Sequence, residues 1–269
     1  MRVAGRFLVV VAGFYLLLAG LAYLFQRRLQ YFPDTDDPAL PAGSATRGLA
    51  EVLLRASDGV ELKAWHWPGA RRPTLLLLHG NAGHRGHRLG WMADLRALGY
   101  GVFLLDYRGY GGSGGSPTEA GLLRDAEAAA RWLAEREPGP VVYLGESIGC
   151  SVALALAAGR PPAGLLLHGG ALSLAEVAQR AYPFLPVGLL MRDRFDVRGT
   201  LAKIACPALF CHGDRDTIVP PDLGRALYEA YAGPKEWFAV PGAGHNDLIE
   251  AGGADYLRRV EAFLRPLAP

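Results

Sequence analysis

The sequence predicts an α/β fold: a mostly parallel central sheet with helices on both faces, preceded by an apolar helix of membrane length. Three observations carry this. Short, wholly apolar runs alternate with helical stretches from residue 50 to the C-terminus, the pattern of strands covered on both faces. One run leads through Gly145-Glu146-Ser147-Ile148-Gly149 into a helix start, a sharp strand-to-helix turn. Residues 7–25 form 19 positions without a charge, which as a helix would reach about 28 Å.

The apolar N-terminal run is flanked by Arg2 and Arg6 on one side and Arg27 and Arg28 on the other, as for a helix held between headgroups, with Tyr23, Tyr31 and Phe32 near one end. A cleaved signal peptide is the alternative, with small residues at Gly20-Leu21-Ala22. The apolar run continues past them through Phe25, which favours an uncleaved anchor over 1–28. The arginine pairs tie in number, so the default of a cytoplasmic N-terminus places the remainder on the extracytoplasmic side. Residues 29–48, rich in Pro, Gly and acidic or small polar side chains, read as a linker. Residues 49–269 read as one domain.

Of 269 residues, 51% are apolar and 20% charged, enough for a large buried core. The formal charge is +2, but 1–28 holds four arginines and no acid, leaving 24 basic against 26 acidic residues elsewhere. A near-neutral domain without a basic block excludes nucleic acid as a partner. Three cysteines make no disulfide framework. Cys206 and Cys211, in one predicted strand, would lie about 16 Å apart, too far to pair. Cys150 falls in the helix after Ser147 and reads as a small buried apolar residue.

Within the domain, 51–57 and 60–67 flank Asp58-Gly59, a hairpin turn signal. Strands follow at 74–78, 102–105, 141–144, 165–167, 208–210 and 236–240, with helices at about 87–98, 117–136, 148–158, 222–231 and 253–265. The second helix carries Ser116 as an expected N-cap, Pro117 at its first position and Glu119 three after the cap. Sites in such sheets form beyond the carboxyl ends of the strands.

The chemistry-bearing residues fall at those ends. The G-x-S-x-G turn would hold the Ser147 hydroxyl clear of the sheet, beside a helix N-terminus that favours negative charge. A serine hydroxyl needs a base to take its proton. His245, in the glycine-rich loop after the last strand, fits that role. His79 is expected to be structural, His84 and His87 at the loop surface, His66 on the first hairpin, and His168 and His212 as hydrogen-bonding strand ends; no spacing among them suggests a metal or other cofactor. The acid that orients the base should lie between serine and histidine in the chain. His212-Gly213-Asp214-Arg215-Asp216 offers two candidates, Asp216 preferred and Asp214 more suited to capping its turn. Asp247 reads as a local turn or helix cap, and Asp106 precedes the serine and breaks the order. An oxyanion hole would take its backbone N–H groups from Ile148 and from the loop after strand 74–78, with Asn81 preferred and Ala82 possible.

These pieces resemble the α/β-hydrolase superfamily, and within it the lid-poor, membrane-anchored ABHD-type serine hydrolases. The resemblance rests on HGNAG at 79–83, DYRGYGGSGG at 106–115, GESIG at 145–149, HGDRDTIVP at 212–220 and PGAGHND at 241–247. It implies the α/β-hydrolase fold, a Ser147–His245–Asp216 triad without cofactor, and hydrolysis of acyl esters through an acyl-enzyme. The substrate class would be carboxylic esters or lipid-derived esters. Thioesterase, peptidase or acyltransferase activity on the same triad is the alternative, and a non-catalytic anchored binding protein a more distant one. Where relatives insert a large cap, 171–204 is short. Its apolar stretch Tyr182-Pro183-Phe184-Leu185-Pro186-Val187-Gly188-Leu189-Leu190-Met191 is either a small lid over an acyl pocket or a helix pair covering the sheet edge.

Overall fold

A computed structural model describes residues 2–268. Eight strands form one sheet: β1 (Ala50–Arg55), β2 (Glu61–Trp67), β3 (Arg71–Leu78), β4 (Tyr100–Leu105), β5 (Val141–Glu146), β6 (Gly164–His168), β7 (Ala208–Gly213) and β8 (Lys235–Val240). Their order across the sheet is β8-β7-β6-β5-β3-β4-β2-β1. β3 to β8 run parallel, and the β1–β2 hairpin, turned at Asp58-Gly59, adds antiparallel strands at one edge. This is the α/β-hydrolase fold that the motifs imply.

Burial explains why the strands look as they do in sequence. Every residue of β4, β6 and β7 is buried, because helices cover both faces; edge strand β1 instead alternates, burying Val52 and Leu54. Alternate residues of the central strands feed two cores. Leu76, Leu78, Phe103 and Leu105 pack with α3 (Glu119–Arg136) and α4 (Ile148–Gly159). Leu75, Leu77, Val102 and Leu104 pack with Trp91, Met92 and Leu95 of α2 (Leu89–Ala97) and with Tyr256, Val260 and Phe263 of a long C-terminal helix (Leu248–Leu264).

Two local readings shift. The helix expected from Pro117 starts at Glu119, capped by Thr118, not Ser116: Thr118 is extended and its Oγ1 accepts the Gly121 N–H at 3.0 Å. Pro117 instead packs against Gly109, where a Cβ would lie 2.9 Å from its Cδ. The last helix begins at Leu248 and is broken at Gly253 (φ 48°), where the sequence reading had it start.

The N-terminal helix α1 (Arg2–Gln30) is long and apolar enough to cross a membrane, with only 6% of its most apolar window buried against the domain. The chain that follows is held closely. Gln30 and Tyr31 are buried. Phe32 and Pro33 pair in parallel with Ala82 and Gly83 of the loop after β3. Asp37 accepts from Arg85 Nη2 at 2.7 Å and also pairs with Lys63. Arg85 is itself fully buried between Asp37, Asp106 and the Gly111 carbonyl. The stretch whose composition suggests a linker therefore packs as part of the domain over residues 30–37.

Between β6 and β7 lie three short helices, α5 (Leu174–Ala181), α6 (Val187–Leu190) and α7 (Arg198–Leu201), and between β7 and β8 lies α8 (Pro221–Ala230). The C-terminal helix above is α9.

Candidate active site

β5 passes into α4 through Ser147, whose backbone stands at φ 54°, ψ −117°. That conformation is strained for a side-chain-bearing residue, by about 1–3 kcal/mol. It persists because neighbours fix it: the Ser147 N–H donates to the His168 carbonyl at 2.8 Å, and its own carbonyl accepts from Cys150 N–H at 3.0 Å. The motif's glycines are required by contact. A Cβ on Gly149 would sit 1.9 Å from the Leu78 carbonyl oxygen, and one on Gly145 2.6 Å from Cys150 Cα.

The structure brings Ser147, His245 and Asp216 together. His245 Nε2 lies 3.0 Å from Ser147 Oγ, and its Nδ1 lies 2.6 Å from Asp216 Oδ2. Asp216 is buried; its other oxygen accepts the backbone N–H groups of Ile218 at 2.9 Å and Val219 at 2.8 Å. Asp214 is turned away and accepts the Gly242 N–H at 2.7 Å, tying the two loops together. Asp247 accepts the Gly244 N–H at 2.7 Å and so shapes the histidine loop.

Ile148 heads α4, so its N–H has no carbonyl partner one turn back in the helix. The loop after β3 lies alongside: a Cβ on Gly80 would come 3.5 Å from Ser147 Cβ. Asn81 is fixed there from three directions. Its carbonyl accepts from Phe32 N–H and Tyr110 Oη, both at 2.9 Å, and its Nδ2 donates to the Gln30 carbonyl at 3.0 Å. A cleft of about 780 Å³ opens over Ser147 and His245, walled by Ala82, Trp91, His168, Ile249 and Leu257 among others. On the other side of Ser147, a notch of about 20 Å³ is lined by Ala171, Leu174, Val177 and Val219.

The remaining histidines are accounted for. His79 and His168 are buried, and burial pushes each down to about 3. His79 lies between Tyr107 and Tyr110; His168 stacks on Trp91 and meets Tyr256 Oη at 3.3 Å. His212 reaches the Val219 carbonyl at 2.9 Å, and His66 packs against Phe103 and Trp132. His87 is exposed as expected, but His84 is buried, and its Nδ1 accepts the Gly86 N–H to cap a short turn. Asp34, His84 and His87 converge closely enough to suggest a metal site. Each ring, however, takes a backbone N–H on Nδ1, which leaves the proton on Nε2, facing Asp34. Two N–H groups directed at a carboxylate are donors, not metal ligands.

One pair went unread in the sequence. Arg88 clasps Glu146, the variable residue of the serine turn, through Nε at 3.0 Å and Nη2 at 2.9 Å, while its Nη1 donates to the Ala82 carbonyl at 2.8 Å. It joins the serine turn to the neighbouring loop. The only sequence signal was a charged residue at the variable position of G-x-S-x-G.

Residues 69–195 match the family model described as serine aminopeptidase, S33. Lysophosphatidylserine lipase ABHD12 of Danio rerio is 32% identical over 81% of this chain and 67% of its own. The chain belongs to the α/β-hydrolase family, in its ABHD branch. An uncharacterized protein of Mycobacterium tuberculosis is 40% identical over 98% of this α/β hydrolase and 96% of its own length. In three dimensions, an esterase of Pyrococcus furiosus superposes with a TM-score of 0.75 over 88% of this chain and 97% of its own, at 20% identity, a likeness of fold.

Proposed function

We propose that this α/β hydrolase is a serine esterase acting on acyl esters, including lipid-derived ones, through an acyl-enzyme. The unbroken hydrogen-bonded path from Ser147 Oγ through His245 to buried Asp216 carries the reading, since it is the arrangement that activates a hydroxyl. Ser147 Oγ attacks the ester carbonyl while His245 Nε2 takes its proton. The tetrahedral oxyanion is held by the backbone N–H groups of Ile148 and Asn81, with Ala82 the alternative to Asn81. His245 returns the proton to the departing alcohol, leaving the acyl group on Ser147. Water, deprotonated by His245, releases the acid and restores the hydroxyl. Asp216 keeps the His245 Nδ1 proton in place throughout and stabilises the imidazolium. No cofactor takes part.

Residues 1–28 serve as a membrane anchor in this reading, with the catalytic domain on the extracytoplasmic side. The name of the lysophosphatidylserine lipase relative supports a lipid ester among the substrates. The serine aminopeptidase description favours a second reading, amide hydrolysis on the same three residues. A fluorophosphonate probe should label the wild-type chain and not Ser147→Ala. Turnover of p-nitrophenyl acyl esters should then exceed that of aminoacyl p-nitroanilides by orders of magnitude. Labelling that survives Ser147→Ala refutes the mechanism; the reverse substrate preference moves the reading to a peptidase.

A further inference from the structure

Residues 181–191 carry no charge, and the segment is bounded by Arg180 and Arg192. Among the described residues it exposes three large apolar side chains within eight positions: Tyr182 (53%), Phe184 (59%) and Leu189 (87%). The segment runs along α1, where Tyr15 Oη donates to the Phe184 carbonyl at 2.9 Å and Gln26 Nε2 to the Leu190 carbonyl at 3.1 Å. Gln26 Oε1 accepts the Arg192 N–H, Arg27 pairs with Asp193 at 2.8 Å, and the Arg192 guanidinium lies 4.2 Å from the centroid of the Tyr23 ring.

From this docking we propose that residues 182–191 are a second membrane-inserted element, seated beside α1 in the leaflet nearest the catalytic domain. The proposal rests on α1 being an anchor. Tyr15 and Gln26 are eleven residues apart, about 16 Å along a helix, close to the hydrocarbon depth of one leaflet. A segment bonded to both is carried into the bilayer with the helix.

Most of its backbone N–H groups have partners inside the protein, as polar groups in hydrocarbon require, Phe184 and Gly188 excepted among the described residues. Pro183 and Pro186 bring no N–H. Tyr182 N–H donates to the Ala178 carbonyl, Leu185 N–H to Tyr182, and Leu189 and Leu190 N–H groups to Pro186. The Gln179 side chain closes the turn, its Nε2 donating to the Leu185 carbonyl at 3.0 Å and its Oε1 accepting the Val187 N–H at 3.2 Å. Arg192 and the Arg27–Asp193 pair lie at the Gln26 end of the segment, as at headgroups, while Arg180 at its other end pairs with Asp222 of α8. α5 joins this element to the site: its Leu174 and Val177 line the notch beside Ser147, and eight helical residues, about 12 Å, lead from there to Tyr182.

The test uses the full chain reconstituted in phosphatidylcholine vesicles, with an environment-sensitive fluorophore on Leu189→Cys and a quencher on the lipid acyl chains. Leu18→Cys in α1 is the lipid-exposed reference, Leu53→Cys on β1 the aqueous one, and the unsubstituted labelled chain supplies the Cys206 background. The Leu189→Cys label should be quenched to an extent within about twofold of Leu18→Cys, and Leu53→Cys not at all. A Leu189→Cys label that behaves like Leu53→Cys while Leu18→Cys is quenched overturns the proposal. If Leu18→Cys is itself unquenched, the anchor reading fails and takes the proposal with it. In a second arm, the double variant Phe184→Ser, Leu189→Ser should keep turnover of a soluble p-nitrophenyl ester within about twofold and lose at least fivefold on the same ester held in vesicles. Equal losses on both substrates count against insertion. Quenching without any ester turnover would leave the insertion standing and remove the esterase reading.

Discussion

Replacing Asp216 by Asn changes one atom and tests the proposed mechanism most directly. Asp216 Oδ1 accepts two N–H groups, from Ile218 and Val219, and Oδ2 faces His245 Nδ1 at 2.6 Å. In Asp216→Asn the amide oxygen must stay on the two N–H groups, because the reverse orientation would strand both, at about 1–3 kcal/mol each. The NH2 then points at His245 Nδ1, which has to become an acceptor. Its proton moves to Nε2, the atom 3.0 Å from Ser147 Oγ, where a lone pair is needed. A base holding the wrong tautomer should lower kcat by about 10⁴, equivalent to about 5.5 kcal/mol of barrier. Hydrolysis of a p-nitrophenyl ester, read beside a thermal melt, measures this. The expected result is a loss of three to four decades with Tm within a few degrees of wild type. Asp214→Asn, which disturbs only the Gly242 contact, should stay within about tenfold. An Asp216→Asn variant keeping a tenth of the activity while Asp214→Asn is inactive would transfer the acid role to Asp214 and refute the assignment.

Three further outcomes follow from packing and burial. Gly149→Ala drives a Cβ into the Leu78 carbonyl and should abolish soluble folded protein, whereas Gly159→Ala, with nothing within 4 Å, should raise the urea midpoint by the equivalent of about 0.5–1 kcal/mol; similar behaviour of the two would discount the close packing at the serine turn. His168 is held neutral down to about 3, while its unfolded counterpart protonates near 6.5, so the stability it contributes is present above pH 6.5 and lost as pH falls toward 3. Urea unfolding of His168→Gln between pH 6.5 and 4 should therefore show a slope shallower by about 1.4 kcal/mol per pH unit than wild type, and parallel slopes would contradict the burial argument. Removing residues 2–28 should leave soluble-ester turnover within a few-fold, but removing 2–37 also takes the Phe32–Pro33 pairing and the Gln30 contact from Asn81 and should cost at least tenfold in kcat; equal rates would show that the loop holds its shape alone.

The central strands were legible in sequence because burial on both faces leaves no room for polar residues, so 102–105 and 208–210 announce themselves as unbroken apolar runs. The positions of Ser147, His245 and Asp216 were legible for a related reason: each sits where a strand gives way to glycine-rich or polar turn chemistry. What stayed hidden depends on partners remote in the chain. Arg88 meets Glu146 at a separation of 58 residues, and neither shows a local pattern that announces the other. Residues 30–37 read as linker because Pro33, Asp34 and Asp37 have the composition of solvated chain, yet Asp37 is a counter-ion for buried Arg85 and Pro33 pairs through its neighbour's backbone. At α3, the sequence pattern pointed to Ser116 as the cap, and the cap lies at Thr118 because Pro117 packs on Gly109 instead of opening the helix.

The close seating of residues 30–37 bears on how the proposed esterase, anchored through α1, would meet its substrate. A floppy tether would let the domain tumble and sample solution in three dimensions. Here α1 continues without a break into contacts with Asp193, Asn81 and Arg85, so the domain has little rotational freedom about its mount. With α1 as the proposed anchor, the mouth of the cleft would keep one height and one azimuth relative to the bilayer, and encounters would become a two-dimensional search. Turnover of a membrane-borne ester should then scale with its mole fraction in the leaflet, and diluting the vesicles in buffer at constant lipid composition should leave the rate per enzyme unchanged.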